Sequence, residues 1–435
     1  MIGKDDVESY SRRRAIILAA MLVLTVSAAI VTLKLDLGYL SYSELFFILF
    51  HKDDPSVSLV DSILVWDLGL PRITSCVLAG FALGIAGAVM QCVLKNPLGS
   101  PYTLGVSNAS AFGASMGIVV LGGGIISGQS QASIVIGNPY LVAASAFVWA
   151  MIATAVIIVL VKVTRVSPET MVLAGVALSS IFSAGISMLQ YMYNEYALST
   201  IVFWQFGSMG KAGWDQLSLI AVVTLVAAAY FMYSRMDYNA LDAGDEVAAS
   251  LGVSVSRLRL LTLFVSAVLT SVVVSFMGIV AFIGLLGPHI VRRLVGNDHR
   301  FLLPGSMLLG AIILLVSDCI GQTALDFTLP VGIITSFLGG PLFLYLLVSG
   351  YRKKRGVLEG FIRRRRDSGG SRSRRSRLFL RSEGSAQEGI LRIRQQRDRL
   401  RSRSERRRED DPAEVHMQRP ETFLGKREDL RKGSF

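Results

Sequence analysis

Long apolar runs alternate with short polar loops along the first 350 residues of the chain. A helix of about 20 apolar residues crosses a hydrocarbon core of about 30 Å. The alternating segments of about ten residues that a membrane barrel requires do not appear in the sequence. The pattern therefore predicts an all-α polytopic membrane protein with about ten transmembrane helices. The ten predicted spans are residues 14–34, 62–94, 103–125, 139–162, 170–193, 215–235, 259–278, 280–295, 302–323 and 331–350.

Composition divides the chain into unequal parts. Of the 435 residues, 52% are hydrophobic. A soluble protein of this length needs a largely polar surface and rarely contains so many hydrophobic residues. Residues 352–435 carry 27 Lys and Arg against 13 Asp and Glu and are rich in Arg and Ser. We therefore predict an N-terminal segment over 1–13, a transmembrane domain over 14–351 and a disordered basic tail over 352–435.

The distribution of Lys and Arg predicts the orientation. With a cytoplasmic N-terminus, the inner loops carry 13 Lys and Arg and the outer loops carry four. We therefore expect a multi-pass cell membrane protein with both termini in the cytoplasm. The first span has a longer apolar core than a signal peptide and no A-x-A site after it, so it is expected to be retained. The loop over 236–259, which contains the sequence GDEVAASLG, is then cytoplasmic.

Ionisable residues within the predicted spans are rare. Asp318 has no evident basic partner at the same depth, and Glu195 lies near the end of a span. A proton relay or an ion path would require more such groups, so support for a proton-coupled carrier is thin.

Candidate metal and catalytic residues are also few. Cys76, Cys92 and Cys319 lie in apolar segments without C-x-x-C spacing, and we interpret them as buried hydrophobic residues rather than ligands. His289, the histidine in or beside a predicted span, is interpreted as a polar helix-end residue. The HExxH motif is absent, and QFGSMGKA at 205–212 lacks the first Gly and the final Ser or Thr of a P-loop. We predict no enzyme activity, no cofactor and no metal site.

The segment GDEVAASLG is expected to form a short helix between two spans. Its acids Asp245 and Glu246 suit the positive end of a helix dipole. Val247 and Leu251 are spaced i, i+4 and so share one face, with Ala248 beside them. The final glycine is a natural helix stop, and VSVSRLRL after it predicts another short helical turn. Two interpretations remain open: an element that transmits work from a soluble motor, and an ordinary amphipathic loop helix.

Several stretches together resemble the FecCD family of permeases. The pattern G-D-E-x-A-x-x-L-G resembles the coupling-helix segment of that family. Residues 70–110, 203–214, 278–311 and 329–347 are similar to further family segments, in the same order. They include NPLGSPYTLGVS, FWQFGSMGKAGW and GIVAFIGLLGPHIVRR. The resemblance covers about residues 10–351.

The resemblance implies a type II ABC importer permease that moves an iron-siderophore, haem, cobalamin or related metal chelate into the cytoplasm by alternating access. It implies three kinds of protein partner: ABC ATPase subunits that hydrolyse ATP, an extracytoplasmic substrate-binding protein and a second permease subunit, identical or different. Membrane lipids are further partners, and nucleic acid is not expected. The residues implied to contact the ATPase are Gly244, Asp245, Glu246, Val247, Ala248, Leu251 and Gly252.

The chain departs from the family pattern on the outer side. The family has R-L-P-R before its second helix, whereas this chain has Gly69-Leu70-Pro71-Arg72, and Gln322 stands where a further arginine is common. Arg72 is thus the remaining candidate for docking of the binding protein. The alternative functions are a secondary carrier or channel without an ATPase, and a membrane-anchored structural or nucleic-acid-binding protein whose only support is the tail.

Overall fold

The computed structural model describes residues 4–52, 54–127, 133–164, 168–324 and 327–345, and the predicted tail over 352–435 lies outside these ranges. The helices are α1 Lys4–Asp36, α2 Tyr42–Phe50, α3 Leu59–Ile63, α4 Leu70–Val93, α5 Val106–Val119, α6 Pro139–Thr164, α7 Pro168–Met192, α8 Glu195–Gln205, α9 Trp214–Tyr233, α10 Arg235–Asp242, α11 Asp245–Ser250, α12 Val255–Met277, α13 Ile283–Val295, α14 His299–Thr323 and α15 Val331–Tyr345. The all-α prediction did not include the antiparallel hairpin of β1 Gly124–Ser127 and β2 Ser133–Ile136.

All ten predicted spans coincide with helices. Within the described residues, seven helices are long and apolar enough to cross a membrane. The predicted spans at 103–125, 280–295 and 331–350 correspond to the shorter helices α5, α13 and α15. The apolar runs at 103–125 and 280–295 extend beyond α5 and α13 into backbone that is not α-helical, so hydropathy alone overestimates the length of these two helices, and residues 346–350 lie outside the described ranges.

Helix α4 is the central element of the bundle: 18 of its 24 residues are buried and the others are half-buried. It continues from α3 through a π-helical turn, Leu64–Gly69, so helical backbone extends from Leu59 to Val93. Pro71 follows this turn and has no N–H to donate to an α-helical ladder. A π turn is a common way to accommodate such an interruption.

Glycines bring α4 into backbone contact with two neighbouring helices. A Cβ built on Gly80 would lie 2.3 Å from Ala311 N, and one on Gly84 would lie 2.1 Å from Ser306 O, both in α14. A Cβ on Gly87 would lie 1.9 Å from the carbonyl oxygen of Gly284 in α13. The sequence GFALGIAG, residues 80–87, is therefore a small-residue face through which α4 packs on its neighbours.

Replacing Gly84 by alanine is expected to destabilise the bundle strongly. The new methyl group would meet backbone of Ser306, which cannot rotate away as a side chain could. Overpacking of this kind costs about 1–3 kcal/mol or more. The test is the melting temperature of the purified protein in detergent. Gly38→Ala is the matched control, because the nearest atom to its new Cβ is 3.7 Å away; equal melting of both variants would contradict this account of the packing.

Candidate functional site

The segment before GDEVAASLG forms a helix that the sequence analysis missed. Helix α10 has its two buried large residues, Tyr238 and Leu241, at i, i+3 spacing. The Tyr238 hydroxyl is 2.8 Å from the Thr262 hydroxyl on α12, so α10 is bonded to a membrane-length helix. The i, i+3 pair within RMDYNALD was the available signal, but it is shorter than the windows used to recognise an amphipathic helix.

The short helix predicted for GDEVAASLG is present as α11. Gly252 has φ +86°, and the N–H groups of Val253 and Gly252 donate to Ala248 O and Ala249 O respectively. This is the Schellman arrangement, which confirms the glycine as the helix stop. The helical backbone expected at VSVSRLRL is present from Val255, but it is the beginning of α12, four residues before the predicted span, and not a separate short turn.

Asp245 ties α11 to the bundle. Its carboxylate lies 2.7 Å from Lys95 Nζ, just past the end of α4, and 3.2 Å from Arg259 Nη2 in α12. Arg259 Nε also donates to the Val93 carbonyl oxygen over 2.8 Å. Burial alone would raise the pKa of Asp245, but the two cations outweigh it and lower the pKa. The carboxylate is therefore ionised at neutral pH. It anchors α11 to the bundle, and its negative charge also suits the N-terminus of the helix.

The remaining residues of the segment lie on two faces of α11, one buried and one exposed. Ala248 is completely buried against the bundle, whereas Val247 is 44% exposed and Leu251 is 68% exposed. Glu246 is exposed beside them. The expectation that Ala248 lies beside Val247 and Leu251 on one face is therefore wrong, because α11 directs its small residue inward. We call Glu246, Val247, Leu251 and Gly252 the outer face of α11.

A second set of contacts holds α10 against the start of α14. Asn239 Nδ2 donates to Asp298 Oδ1 over 3.1 Å, and Asn239 Oδ1 accepts from the backbone N–H of His299 over 2.9 Å. Asp298 caps α14. His299 is completely buried, whereas the sequence analysis placed only His289 in or beside a span. The α10–α11 unit is thus fastened to α4, α12 and α14 while its outer face is open.

Arg72 lies near the opposite end of α4 and is largely buried. Its Nη2 donates to Asp36 Oδ2 at the end of α1 over 2.5 Å, and its Nε lies 3.9 Å from Asp318 Oδ2 in α14. The reading of Asp318 as an acid without a basic partner is therefore wrong. Residues distant in sequence meet here because α1 and α14 both pack on α4, a neighbourhood that spacing alone does not reveal. The docking role of Arg72 stays a prediction. Its guanidinium already contacts two carboxylates within the chain, those of Asp36 and Asp318.

The sequence of this chain is similar to those of known transport proteins. The FecCD transport family model matches residues 17–349. A protein of Methanocaldococcus jannaschii, named as an ABC transporter permease, is 47% identical over 293 residues, or 67% of this chain and 83% of that protein. The Fe(3+)-citrate import system permease protein YfmE of Bacillus subtilis is 35% identical over 66% of this chain and 82% of its own length.

A solved structure gives the same assignment. The chain resembles a metal-chelate type ABC transporter in an inward-facing conformation, with a TM-score of 0.64 and 29% identity. The match covers 77% of this chain and 99% of that chain, so it includes the whole helical core of the solved protein. The chain therefore belongs to the FecCD transport family and is the transmembrane permease subunit of an ABC importer.

Proposed function

We propose that this permease carries a metal chelate into the cytoplasm by ATP-driven alternating access. The cargo class is an iron-siderophore, haem, cobalamin or related complex. The arrangement of buried and exposed residues on α11 is the observation that most directly supports the dependence on ATP. Its outer face presents exposed apolar side chains, while its inner side is fastened through Asp245 and Ala248 to membrane-length helices.

Such a construction suits the transmission of force. An exposed apolar pair on a short helix is a small docking surface, and a soluble ATPase would bury it. Because the inner contacts involve α4 and α12 as well as the neighbouring α10, displacement of the outer face would move these helices together as a rigid body. We therefore assign the outer face to an ABC ATPase subunit and place α11, with both chain termini, in the cytoplasm.

The assembly follows from the same proposal. Two permease subunits, identical or different, would surround the path, with an ATPase under each and a binding protein on the opposite side. An iron complex is the first substrate to test, because the relative from Bacillus subtilis is named for import of Fe(3+)-citrate. The alternative, a secondary carrier or channel, would leave the outer face of α11 without a role. Asp318, an acid that such a carrier would use, is already beside Arg72.

Uptake by the native complex is expected to require ATP. The complex would be captured from native membranes on a tag fused to this chain, reconstituted in proteoliposomes with its binding protein, and assayed with radiolabelled ferric citrate, haem and cobalamin in turn. We expect uptake of one of these classes with ATP on the side of α11, and inhibition of that uptake by vanadate. Uptake driven by a proton or sodium gradient without ATP would instead establish the carrier.

A further inference from the structure

Three side chains that can bind metal ions lie close together at the C-terminal end of α10. Cys92 of α4, Asp242 of α10 and His299 of α14 each place one ligand atom so that all three atoms lie within 4.8 Å of one another. Cys92 and His299 are buried, and the Asp242 side chain is 31% exposed, so the group is open on one side. The three residues belong to different elements and are up to 207 positions apart in sequence, which no spacing motif would detect.

Hydrogen bonding determines which nitrogen of His299 is free. Asn239 Oδ1 accepts from the His299 backbone N–H, and Asn239 Nδ2 donates to Asp298, so the orientation of the amide is fixed at both ends. His299 Nδ1 lies 2.9 Å from Asn239 Oδ1, an atom that can only accept. Nδ1, which also lies 3.9 Å from Asp242 Oδ2, therefore carries the proton, and Nε2 keeps its lone pair.

That lone pair is an unsatisfied acceptor in the protein interior. Nε2 has no hydrogen-bond partner among the described residues, although the whole side chain is buried. An unpaired buried polar atom costs about 1–3 kcal/mol, so such atoms usually have a bound water, ion or other partner. The Nδ1–H bond to an amide oxygen is also the arrangement that orients a histidine for metal binding through its other nitrogen.

We propose that Cys92, Asp242 and His299 form a binding site for a divalent transition-metal ion of the Zn²⁺ type. Thiolate, imidazole and carboxylate together suit a borderline-soft ion, and three protein ligands leave a fourth position for water. Binding releases the Cys92 thiol proton to solvent, and the ligand atoms draw together to bond lengths of about 2.0–2.3 Å. This assignment replaces the interpretation of Cys92 as an inert buried residue.

The neighbouring charge indicates an ion that exchanges with solution. Arg292 lies close enough to interact with both Cys92 and Asp242, and it hydrogen-bonds Gln91. Its positive charge offsets one of the two negative charges that the ligands would carry. Such a site binds more weakly than an all-anionic structural site, and the partly exposed Asp242 gives the ion a route in and out.

The first test is cobalt binding to the purified full-length chain in detergent after treatment with chelator. We expect one Co²⁺ per chain with a thiolate-to-cobalt absorption band, displaced by Zn²⁺. Cys92→Ala should abolish the band, and Asp242→Asn should weaken binding at least tenfold, on the order of the loss for a disrupted metal site. Cys76→Ala, at another buried cysteine, and Asp237→Asn, on the same helix, are matched controls and should bind normally. No band in the wild type, a band that survives Cys92→Ala, or equal loss in the controls would overturn the site.

The consequence for transport rests on the proposed function of α11. An ion at this site would join α10 to α4 and α14 and so restrain the motion of α11, making the importer sensitive to metal accumulating on that side. In the reconstituted uptake assay, Zn²⁺ on the α11 side is expected to slow the wild type and spare Cys92→Ala. Equal inhibition of both would remove this consequence, and the cobalt titration, which needs no ATPase, would still decide the site.

Discussion

Uptake is expected to fall at least about a hundredfold when Glu246→Arg and Leu251→Asp are combined on the outer face of α11. Leu251 is 68% exposed in the isolated chain, so its side chain is available for burial by an ATPase. Losing that burial removes about 1.5–3 kcal/mol, and a buried, unpaired aspartate adds a further penalty. A total of about 3 kcal/mol corresponds to about a hundredfold in affinity. The measurement is the amount of ATPase that co-purifies from native membranes, followed by uptake.

The structure separates this effect from misfolding. Neither substitution touches the anchor at Asp245 or the buried Ala248, so melting of the variant in detergent should match the wild type. Leu121→Asp is the control. Leu121 is also exposed, at 52%, and it follows α5, far from α11 in the sequence. If the double variant still binds its ATPase, or if the wild type captures none, the coupling role of α11 has to be abandoned.

Replacing Arg72 by alanine is expected to cost about 3–5 kcal/mol of stability. Asp318 is only 3% exposed in its side chain, and removing the guanidinium leaves this carboxylate buried without its cation. Removing one partner of a buried ion pair lowers the free energy of unfolding by about this amount. A docking role predicts a different result: a variant as stable as the wild type that binds its extracytoplasmic partner more weakly, since an exposed ion pair contributes about 0–1 kcal/mol.

A double substitution distinguishes the two roles of Arg72. If the cost arises from an unpaired Asp318, then Arg72→Ala combined with Asp318→Asn should recover much of the lost stability, because the charge that needed a partner has gone. Asp36 keeps 20% of its side chain exposed and is expected to tolerate the loss of Arg72 better. Melting of both variants in detergent provides the comparison. A stable Arg72→Ala protein with poor capture of its binding protein would restore the docking assignment.

The membrane-spanning architecture was predictable from sequence because each span carries its own signal. A run of about 20 apolar residues must be helical in lipid wherever it lies in the chain. The glycine face of α4 was predictable for a similar local reason, since three glycines at i, i+4 and i+7 leave one side of a helix bare. Helix α10 was missed because its apolar pair, Tyr238 and Leu241, is too short a pattern to stand out between long hydrophobic segments.

The site residues that were misread depend on contacts between distant parts of the chain. The sequence alone leaves Asp318 without a basic partner because Arg72 is 246 positions away. The proximity of Cys92, Asp242 and His299 is likewise invisible in the sequence, because these residues are 57 to 207 positions apart. Ala248 was placed on the wrong face because helical spacing shows which residues share a side, but not which side a bundle covers. The apolar pair Val247 and Leu251 was identified correctly, and the structure adds that it is the exposed one.

The backbone contacts of α4 restrict how the permease can move. At Gly80 and Gly84 the backbone of α4 lies directly against α14, and at Gly87 it lies directly against α13, so no side chain separates the helices at these three points to absorb sliding. Any cycle that opens the bundle alternately to its two ends must therefore carry α4, α13 and α14 as one block. The hinges have to lie elsewhere, where helices meet through longer side chains that can change rotamer.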